Sequence, residues 1–342
     1  MVKSIFYFTL AFGLTFLLLE GYMRLAEIEA VSVTDFDPEV GRVMTPDQSF
    51  AYYNENFTVG RYNEYGYLGP AYPKERSGDE LRIALLGDSY VEGFQVQPRD
   101  HFRSILEEAL QNHLADSNVQ VLNFGRSGFD LANSYAYDRM FVSDFQPDVT
   151  VYFLALSDLE QSKDDPLLPH WYLQGQQLKM SYDFRQSDYL DKFQVAKHGL
   201  QNSSILQMLN NDMKLVQAGE APRIIFEKAA LWWHPEEDSS APELPEVDPV
   251  SLAIIQDMGR RPGSVIVNRD SLAFPPSVQR AIQHAGIPLI SVSDTLQALE
   301  ATGVDGNAWE ATGSQGHWNH AGHQAVGEYL NHRLRPILRH YQ

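Results

Sequence analysis

The sequence predicts an α/β fold in which helices cover both faces of a parallel β-sheet. Short runs of apolar residues recur along the chain without polar alternation, as expected of strands that are buried on both faces. Between these runs lie segments with apolar residues at helical spacing, and strands that alternate with helices are typical of parallel sheets. The chain has 342 residues, of which 44% are hydrophobic and 21% are charged, and this composition is ordinary for a globular protein.

Turn-forming or polar residues follow most of the predicted strands. The strands are residues 81–86, 119–124, 149–156, 264–267 and 287–292. The helices predicted after them are residues 102–113, 131–140, 277–284 and 319–333, and Asn319 is a suitable N-cap for the last. In an open parallel sheet, ligands bind outside the carboxyl ends of the strands, so we expect a functional site there.

The first thirty residues predict a membrane helix that lies outside this fold. Residues 5–19 carry no charge and follow the basic Lys3, and a spanning helix needs about 20 apolar residues. The alternatives are a retained signal anchor, a cleaved signal peptide and a buried core helix, and we favour the anchor. Lys3 favours an orientation with the N-terminus inside, which places the rest of the chain outside the cytoplasm.

Two stretches lack regular patterns. Residues 31–80 predict an irregular lead-in, and residues from about 160 to 250 predict an insertion or cap. We therefore divide the chain into an anchor of residues 1–30, the lead-in, and a domain of residues 81–342 that carries the insertion.

Composition excludes several classes of function. The chain has 26 Lys and Arg against 45 Asp and Glu, which gives a net charge of −19. A protein that binds nucleic acid through its phosphates needs a basic face, so we expect no nucleic-acid partner. The chain has no cysteine, which excludes disulfides, a thiol nucleophile and a Cys-ligated metal. His317, His320 and His323 do not have the spacing of a zinc-protease motif, and we expect no metal and no cofactor.

Polar residues follow the first three predicted strands. Ser89 follows the first, residues 125–128 (GRSG) the second and Ser157 the third, while His317 precedes the last helix. A serine nucleophile with a histidine base is an arrangement that transfers acyl groups, and backbone N–H groups of Ser89 and Gly128 can donate to an oxyanion. The alternatives are that Ser89 is a turn serine, that Gly128 only permits a tight turn and that Ser157 lies in a surface loop.

These motifs resemble those of the SGNH (GDSL-type) hydrolase family. The matching blocks are Gly87-Asp88-Ser89, Asn123 to Gly128, and Gly316-His317-Trp318-Asn319, and Asn63-x-x-Gly66-Tyr67 is similar to the lead-in of membrane-anchored bacterial members. The resemblance covers about residues 60–160 and 260–335. It implies a flavodoxin-like three-layer α/β/α sandwich. It also implies a single-pass protein of the bacterial inner membrane with its soluble domain in the periplasm.

The resemblance further implies that Ser89 is the nucleophile, His317 the base and Gly128 an oxyanion donor. Two positions depart from the family pattern. Ser157 stands where the family has an Asn that donates to the oxyanion, and its hydroxyl can donate one hydrogen bond. Gln315 stands at one of the positions where the family has an Asp that orients the histidine, and an amide cannot carry the charge that stabilises an imidazolium.

Candidates to orient His317 are Gln315, Glu310, Asp305 or a backbone carbonyl, and we expect a Ser–His dyad rather than a full triad. The first hypothesis is a serine esterase or O-acyl-processing enzyme acting on ester-linked acyl groups of a carbohydrate, another envelope molecule or a small ester, by hydrolysis or O-acetyl transfer. The second is a catalytically impaired protein that serves as an envelope scaffold or binding subunit. We favour the enzyme, and the sequence identifies no protein partner.

Overall fold

The computed structural model describes residues 2–25, 34–52, 55–114, 117–160, 165–201, 203–209 and 246–341. The strands are β1 (Thr34–Asp37), β2 (Gly41–Met44), β3 (Ser49–Tyr52), β4 (Thr58–Arg61), β5 (Glu80–Leu86), β6 (Asn118–Asn123), β7 (Val149–Leu154), β8 (His170–Gln174), β9 (Gln177–Ser181), β10 (Ser264–Asn268), β11 (Leu289–Ser291), β12 (Ala308–Trp309) and β13 (Ser314–Gln315). The helices are α1 (Val2–Leu25), α2 (Ser89–Glu92), α3 (Phe102–His113), α4 (Leu131–Met140), α5 (Tyr189–Gln201), α6 (Pro249–Met258), α7 (Pro276–Ala285), α8 (Ser293–Glu300) and α9 (His320–Leu338).

Five of these strands form one parallel sheet in the order β6–β5–β7–β10–β11. Counted along the chain, this is the order 2-1-3-4-5 of a flavodoxin-like sheet. The strand order reverses between β5 and β7, and ligands in such sheets bind beyond the carboxyl ends of the strands at this point. The prediction of a parallel sheet between helices is confirmed.

Alternate residues of the strands face two separate apolar layers. Ile83 and Leu85 of β5 pack in a cluster with residues of α3 and α9. Ala84 and Leu86 pack in the other cluster, with residues of α4, α6 and α7. All seven residues of β5 are buried, which explains why its carboxyl half, Ile83–Leu86, is a continuous apolar run rather than an alternating one.

Helix α9 begins where the sequence predicts and ends later. The side chain of Asn319 accepts a hydrogen bond from the N–H of Gly322 at 3.0 Å, as an N-cap does. The predicted end at residue 333 is wrong, because the helix runs to Leu338. Both Leu334 and Leu338 are fully buried, so packing against the sheet stabilises the additional turns.

The lead-in differs from the irregular segment that the sequence predicts. It contains two antiparallel hairpins, β1–β2 and β3–β4, whose strands of four residues are too short to give a clear periodic pattern. Leu68 forms a bridge with Asn123 at the end of β6. The ring of Tyr67, which is 3% exposed, lies 4.8 Å from that of Phe124. The lead-in is therefore packed on one edge of the sheet.

Contacts divide the chain into two compact units, one of Thr34–Ser187 with Pro245–Gln342 and one of Met1–Val33 with Asp188–Leu244. Residues 210–245, a large part of the predicted insertion, lie outside the described residues. In the segment Lys3–Leu25, mean hydropathy is 1.6 over the most apolar stretch, and none of that stretch is buried. Helix α1 is therefore not a core helix. Its length and composition fit either a membrane anchor or a signal sequence.

Candidate active site

Ser89 lies at the carboxyl end of β5 and begins the single turn of α2. Asp88 is the N-cap of this turn, because its carboxylate accepts the N–H of Tyr90 at 3.0 Å. The other oxygen of Asp88 accepts a hydrogen bond from Arg269 at 2.5 Å. Asp88 therefore holds the turn that carries Ser89 and ties it to Arg269.

His317 follows β13 and lies against Ser89, although 228 residues separate the two along the chain. The distance between Ser89 Oγ and His317 Nε2 is 2.7 Å. The backbone of the histidine loop is held in place by Trp309, whose Nε1–H donates to the carbonyl oxygen of His317 at 2.9 Å. The structure thus brings together the predicted nucleophile and the predicted base.

The Nδ1 atom of His317 contacts the carboxylate of Glu55, a residue of the lead-in. Its distances to Oε1 and Oε2 are 2.9 and 3.0 Å. The backbone N–H of His317 donates to Oε1 at 2.9 Å, and the hydroxyl of Tyr52 donates to Oε2 at 3.0 Å. Because a carboxylate accepts hydrogen bonds, the ring proton lies on Nδ1 and Nε2 accepts the hydroxyl of Ser89.

Two opposing effects act on the pKa of Glu55. Burial raises it, while the hydrogen bonds from His317 and Tyr52 lower it, and the net pKa lies below the ordinary value of 4.5. The carboxylate is therefore ionised at neutral pH, as is required of a group that stabilises an imidazolium.

Glu55 corrects the expectation for the residue that orients His317. Gln315 Nε2 donates to Asp305 at 2.9 Å rather than to the histidine, and Glu310 is exposed. The contact to Nδ1 comes from Glu55, so Ser89, His317 and Glu55 lie in series, in the geometry of a Ser–His–acid triad.

The sequence contains only an indirect signal for Glu55, which is 262 residues before His317. A Cβ atom on Gly316 would lie 1.8 Å from Oε1 of Glu55, so a glycine is needed at this position to admit the carboxylate. A glycine next to the base suggests a close approach, but it does not identify the approaching group.

The loop after β6 carries Gly128, the predicted oxyanion donor. Gly128 has a φ of +82° and open space where a Cβ would lie, so a left-handed backbone requires glycine here. Glu92 positions the preceding residue, since its Oε2 accepts both the N–H and the hydroxyl of Ser127, at 2.8 and 2.5 Å. Tyr62 donates to the other oxygen of Glu92 at 2.9 Å. Glu92 therefore links α2, which begins with Ser89, to the loop that carries Gly128.

Glu92 is 1% exposed. Burial raises its pKa above the ordinary value of 4.5, against the opposing effect of the bonds from Ser127 and Tyr62.

Ser157 is exposed in a single turn of 3₁₀-helix after β7. The adjacent Asp158 accepts the N–H of Ala155 at 2.8 Å and lies 3.7 Å from Arg269. Burial raises the pKa of Asp158 to about 7, although Arg269 lowers it. Sequence analysis did not identify Arg269, which follows β10 and connects the ends of three strands through Asp88 and Asp158.

The histidines near the site do not form a metal centre. His323 is buried, and its Nδ1 accepts the N–H of Phe102 at 3.2 Å, which is a packing role. In the described part of the chain, no group of three or more His, Asp or Glu is placed to hold a metal ion.

Comparisons with known proteins give only distant similarities. No protein-family model and no curated protein sequence matches the chain. Similar solved structures include a two-domain esterase active on acetylated mannans (TM-score 0.39, 13% identity, 76% of this chain and 50% of that one). Others are TesA (0.37, 14%, 75% and 99%) and a putative lipolytic G-D-S-L protein from Desulfitobacterium hafniense (0.34, 11%, 74% and 99%). The chain thus aligns with half of the mannan esterase.

Similarity at TM-scores below 0.5 does not identify a fold, so the fold of this chain is described from its own strand order and motif positions. The parallel sheet has the order 2-1-3-4-5. The Gly-Asp-Ser block follows its first strand, and the histidine block precedes the last helix. The chain therefore has a flavodoxin-like three-layer α/β/α sandwich, in which the Gly-Asp-Ser and histidine blocks that resemble those of the SGNH (GDSL-type) hydrolases meet at the carboxyl ends of the strands.

Proposed function

We propose that this protein is a serine ester hydrolase whose triad consists of Ser89, His317 and Glu55. The observation that carries the proposal is the continuous series of hydrogen bonds from the serine hydroxyl through the imidazole to a carboxylate that is ionised at neutral pH. An unused surface serine has no need of such an arrangement, whereas a serine nucleophile requires both partners.

In the proposed reaction, Ser89 Oγ attacks the acyl carbonyl and its proton moves to His317 Nε2. Glu55 stabilises the imidazolium that forms. The N–H groups of Ser89 and Gly128 and the hydroxyl of Ser157 are the proposed donors to the oxyanion.

The imidazolium then protonates the leaving alcohol, which leaves an acyl-enzyme on Ser89. His317 next deprotonates the acceptor, and the acyl group leaves Ser89 while the proton returns to Oγ. Water as the acceptor gives a carboxylic acid, and a sugar hydroxyl gives O-acyl transfer.

The proposed substrate is an acylated carbohydrate or another small ester outside the cytoplasm. This location depends on α1 acting as an anchor with its N-terminus inside, as Lys3 favours. A protease added to intact cells with a permeabilised outer envelope will digest the domain if the orientation is correct and will leave it intact if it is not.

The assay is hydrolysis of p-nitrophenyl acetate by the full chain in detergent micelles. Ser89→Ala is expected to lower kcat by about 10⁵-fold or more and to abolish labelling by a fluorophosphonate. Ser143→Ala is a suitable control, because Ser143 precedes β7 and so lies at the amino end of the sheet. Hydrolysis that persists unchanged in Ser89→Ala would contradict the proposal.

The scaffold hypothesis predicts a serine that the fluorophosphonate does not label. Two departures from the family pattern motivate this hypothesis, Ser157 and Gln315, and Glu55 supplies the acid that is missing at Gln315. We therefore favour the enzyme, and an unlabelled wild-type protein is the result that would favour the scaffold.

A further inference from the structure

A cleft of about 520 Å³ lies beside the triad, within the unit that contains the sheet. This volume is in the range of roughly 300–1,000 Å³ that is common for ligand sites. Its lining includes Tyr90, Arg269, Asp270, Gln297, Glu300 and Asp305. These residues come from α2, from the loop after β10, from α8 and from the loop that precedes β12, so the cleft lies at the carboxyl edge of the sheet.

The side chain of Tyr90 separates this cleft from Ser89 and His317. Its ring centroid lies 4.6 Å from that of His317, and the guanidinium of Arg269 lies over the ring at 4.3 Å. Gly316 and Trp318, which flank His317, also line the cleft. A molecule that occupies the cleft therefore lies across the Tyr90 ring from His317, against residues that are one position away along the chain from Ser89 and His317.

The charges of the cleft disfavour an anionic ligand. Asp270, Glu300 and Asp305 contribute carboxylates, and the guanidinium of Arg269 is already paired with Asp88 at 2.5 Å. Hydrogen bonds from the backbone of Asn307 and the side chain of Gln315 lower the pKa of Asp305, so that this carboxylate is ionised at neutral pH.

The other polar groups suit a ligand with many hydroxyl groups. Side-chain amides and hydroxyls line the cleft alongside the carboxylates, and Tyr90 adds part of an aromatic surface; the residues are Ser271, Ser293, Gln297, Asn307 and Gln315. Few apolar side chains line the space (Leu296 is one), so a long acyl chain has little surface to bury here. The hydroxyl groups of an uncharged sugar both donate and accept hydrogen bonds, so they can pair with the amides, hydroxyls and carboxylates of this lining.

We propose that the cleft binds the sugar residues of an uncharged oligosaccharide and so presents an ester on that oligosaccharide to Ser89. This inference rests on the proposed function for the identity of the reacting group. The sugar site itself depends only on the lining of the cleft.

Binding is tested separately from catalysis. Ser89→Ala is titrated calorimetrically with xylotetraose, cellotetraose and mannotetraose, and with tetragalacturonate as the anionic probe. At least one neutral tetrasaccharide is expected to bind, and tetragalacturonate is expected to bind at least tenfold more weakly.

The cleft is tested with Gln297→Ala/Glu300→Ala, which removes two polar side chains of α8. Asp294→Ala is the control, since Asp294 is an exposed carboxylate of the same helix outside the cleft. The loss of two hydrogen bonds is expected to weaken neutral-sugar binding about five- to fiftyfold. With Ser89 present, the same variant is expected to lose kcat/KM on the acetylated form of the neutral tetrasaccharide that binds, because binding energy from the sugars contributes to the transition state. The control Asp294→Ala is expected to keep the wild-type rate on that ester and on p-nitrophenyl acetate.

Each outcome has a definite meaning. Failure of every neutral tetrasaccharide to bind at millimolar concentration, equal loss in the control, or preference for tetragalacturonate overturns the sugar site. If the wild type binds a tetrasaccharide but hydrolyses no ester, the proposed function fails while the sugar site remains. If it hydrolyses p-nitrophenyl acetate but binds none of the sugars, the sugar site fails while the esterase remains.

Discussion

Replacing Glu55 with glutamine removes the negative charge next to His317 and changes the side-chain volume very little. The carboxylate is 2.9 Å from Nδ1, and its side chain is 12% exposed. When Ser89 attacks the substrate, the imidazole becomes positive, so the interaction with Glu55 is stronger in the transition state than in the resting enzyme. The substitution is therefore expected to lower kcat more than it changes KM.

The size of the effect follows from the distance. A unit charge pair at 2.9 Å interacts by about 6 kcal/mol at an effective dielectric constant of about 20, which corresponds to roughly 10⁴-fold in rate. This is an upper estimate, because the glutamine oxygen still accepts a hydrogen bond from Nδ1. We expect kcat on p-nitrophenyl acetate to fall between about 10³- and 10⁴-fold.

The assay compares full-length variants in the same detergent. Glu64→Gln is the matched control, because Glu64 is an exposed carboxylate of the same lead-in, and it is expected to keep wild-type kcat. Glu55→Asp keeps the charge on a shorter side chain, so its kcat should lie between those of the wild type and Glu55→Gln.

Measurements of the free energy of unfolding at a series of pH values test whether the charge of Glu55 stabilises the folded protein. The pKa of Glu55 is lowered in the folded protein, so the stability that it contributes is fully present above its unfolded pKa near 4.5 and is lost as the pH falls through the folded-state value. Glu55→Gln lacks this group. The difference in free energy of unfolding between wild type and variant should therefore narrow only as the pH falls below about 4.5, through the folded-state pKa, as measured by urea denaturation.

The reasoning is refuted if Glu55→Gln keeps more than about a tenth of wild-type kcat while Ser89→Ala is inactive. In that case His317 would function without a charged partner, as in the dyad that the sequence suggests.

Three further substitutions test the surroundings of the triad on p-nitrophenyl acetate. Gly316→Ala places a Cβ 1.8 Å from the position of Oε1 of Glu55, so the carboxylate must move away from His317. Since a misplacement of about 1 Å can lower a rate about 10²-fold, a comparable loss of kcat is expected. A wild-type rate would mean that the carboxylate is not needed in its present position. Glu92→Gln replaces the carboxylate that accepts two hydrogen bonds from Ser127 by an amide, which is a weaker acceptor, so kcat should fall about 10- to 100-fold. An unchanged melting temperature is the control for folding. An unaltered kcat would mean that the loop of Ser127 and Gly128 does not stabilise the oxyanion. Gln315→Asp should leave kcat within about twofold because Nδ1 is already paired, and a large gain would contradict the role of Glu55.

The local pattern of the sequence was sufficient to predict the sheet and most of its helices. Helix α3 has the bounds that the spacing of apolar residues predicts, because it places one face on the sheet and the other toward solvent. Helix α4 also has its predicted bounds, although most of its residues are buried. The strands buried on both faces appear as continuous apolar runs, which predicts a parallel sheet.

The short hairpins of the lead-in could not be predicted in the same way. Strands β1 to β4 have four residues each, and so short a run contains too few positions to establish a period of two. Their pairing depends on the contacts of the lead-in with the edge of the sheet, for example that of Tyr67 with Phe124.

The sequence by itself determined the class of fold, the edge of the sheet that carries polar residues, and the identity of Ser89 and His317 as candidates. Only the tertiary structure decided which acid faces the histidine. A periodic pattern of apolar residues indicates which residues of a single helix or strand are buried. Glu55 and His317 are 262 residues apart and come into contact only because separate elements pack together. The free energy of that packing depends on all the elements together, so no local stretch of sequence contains the contact.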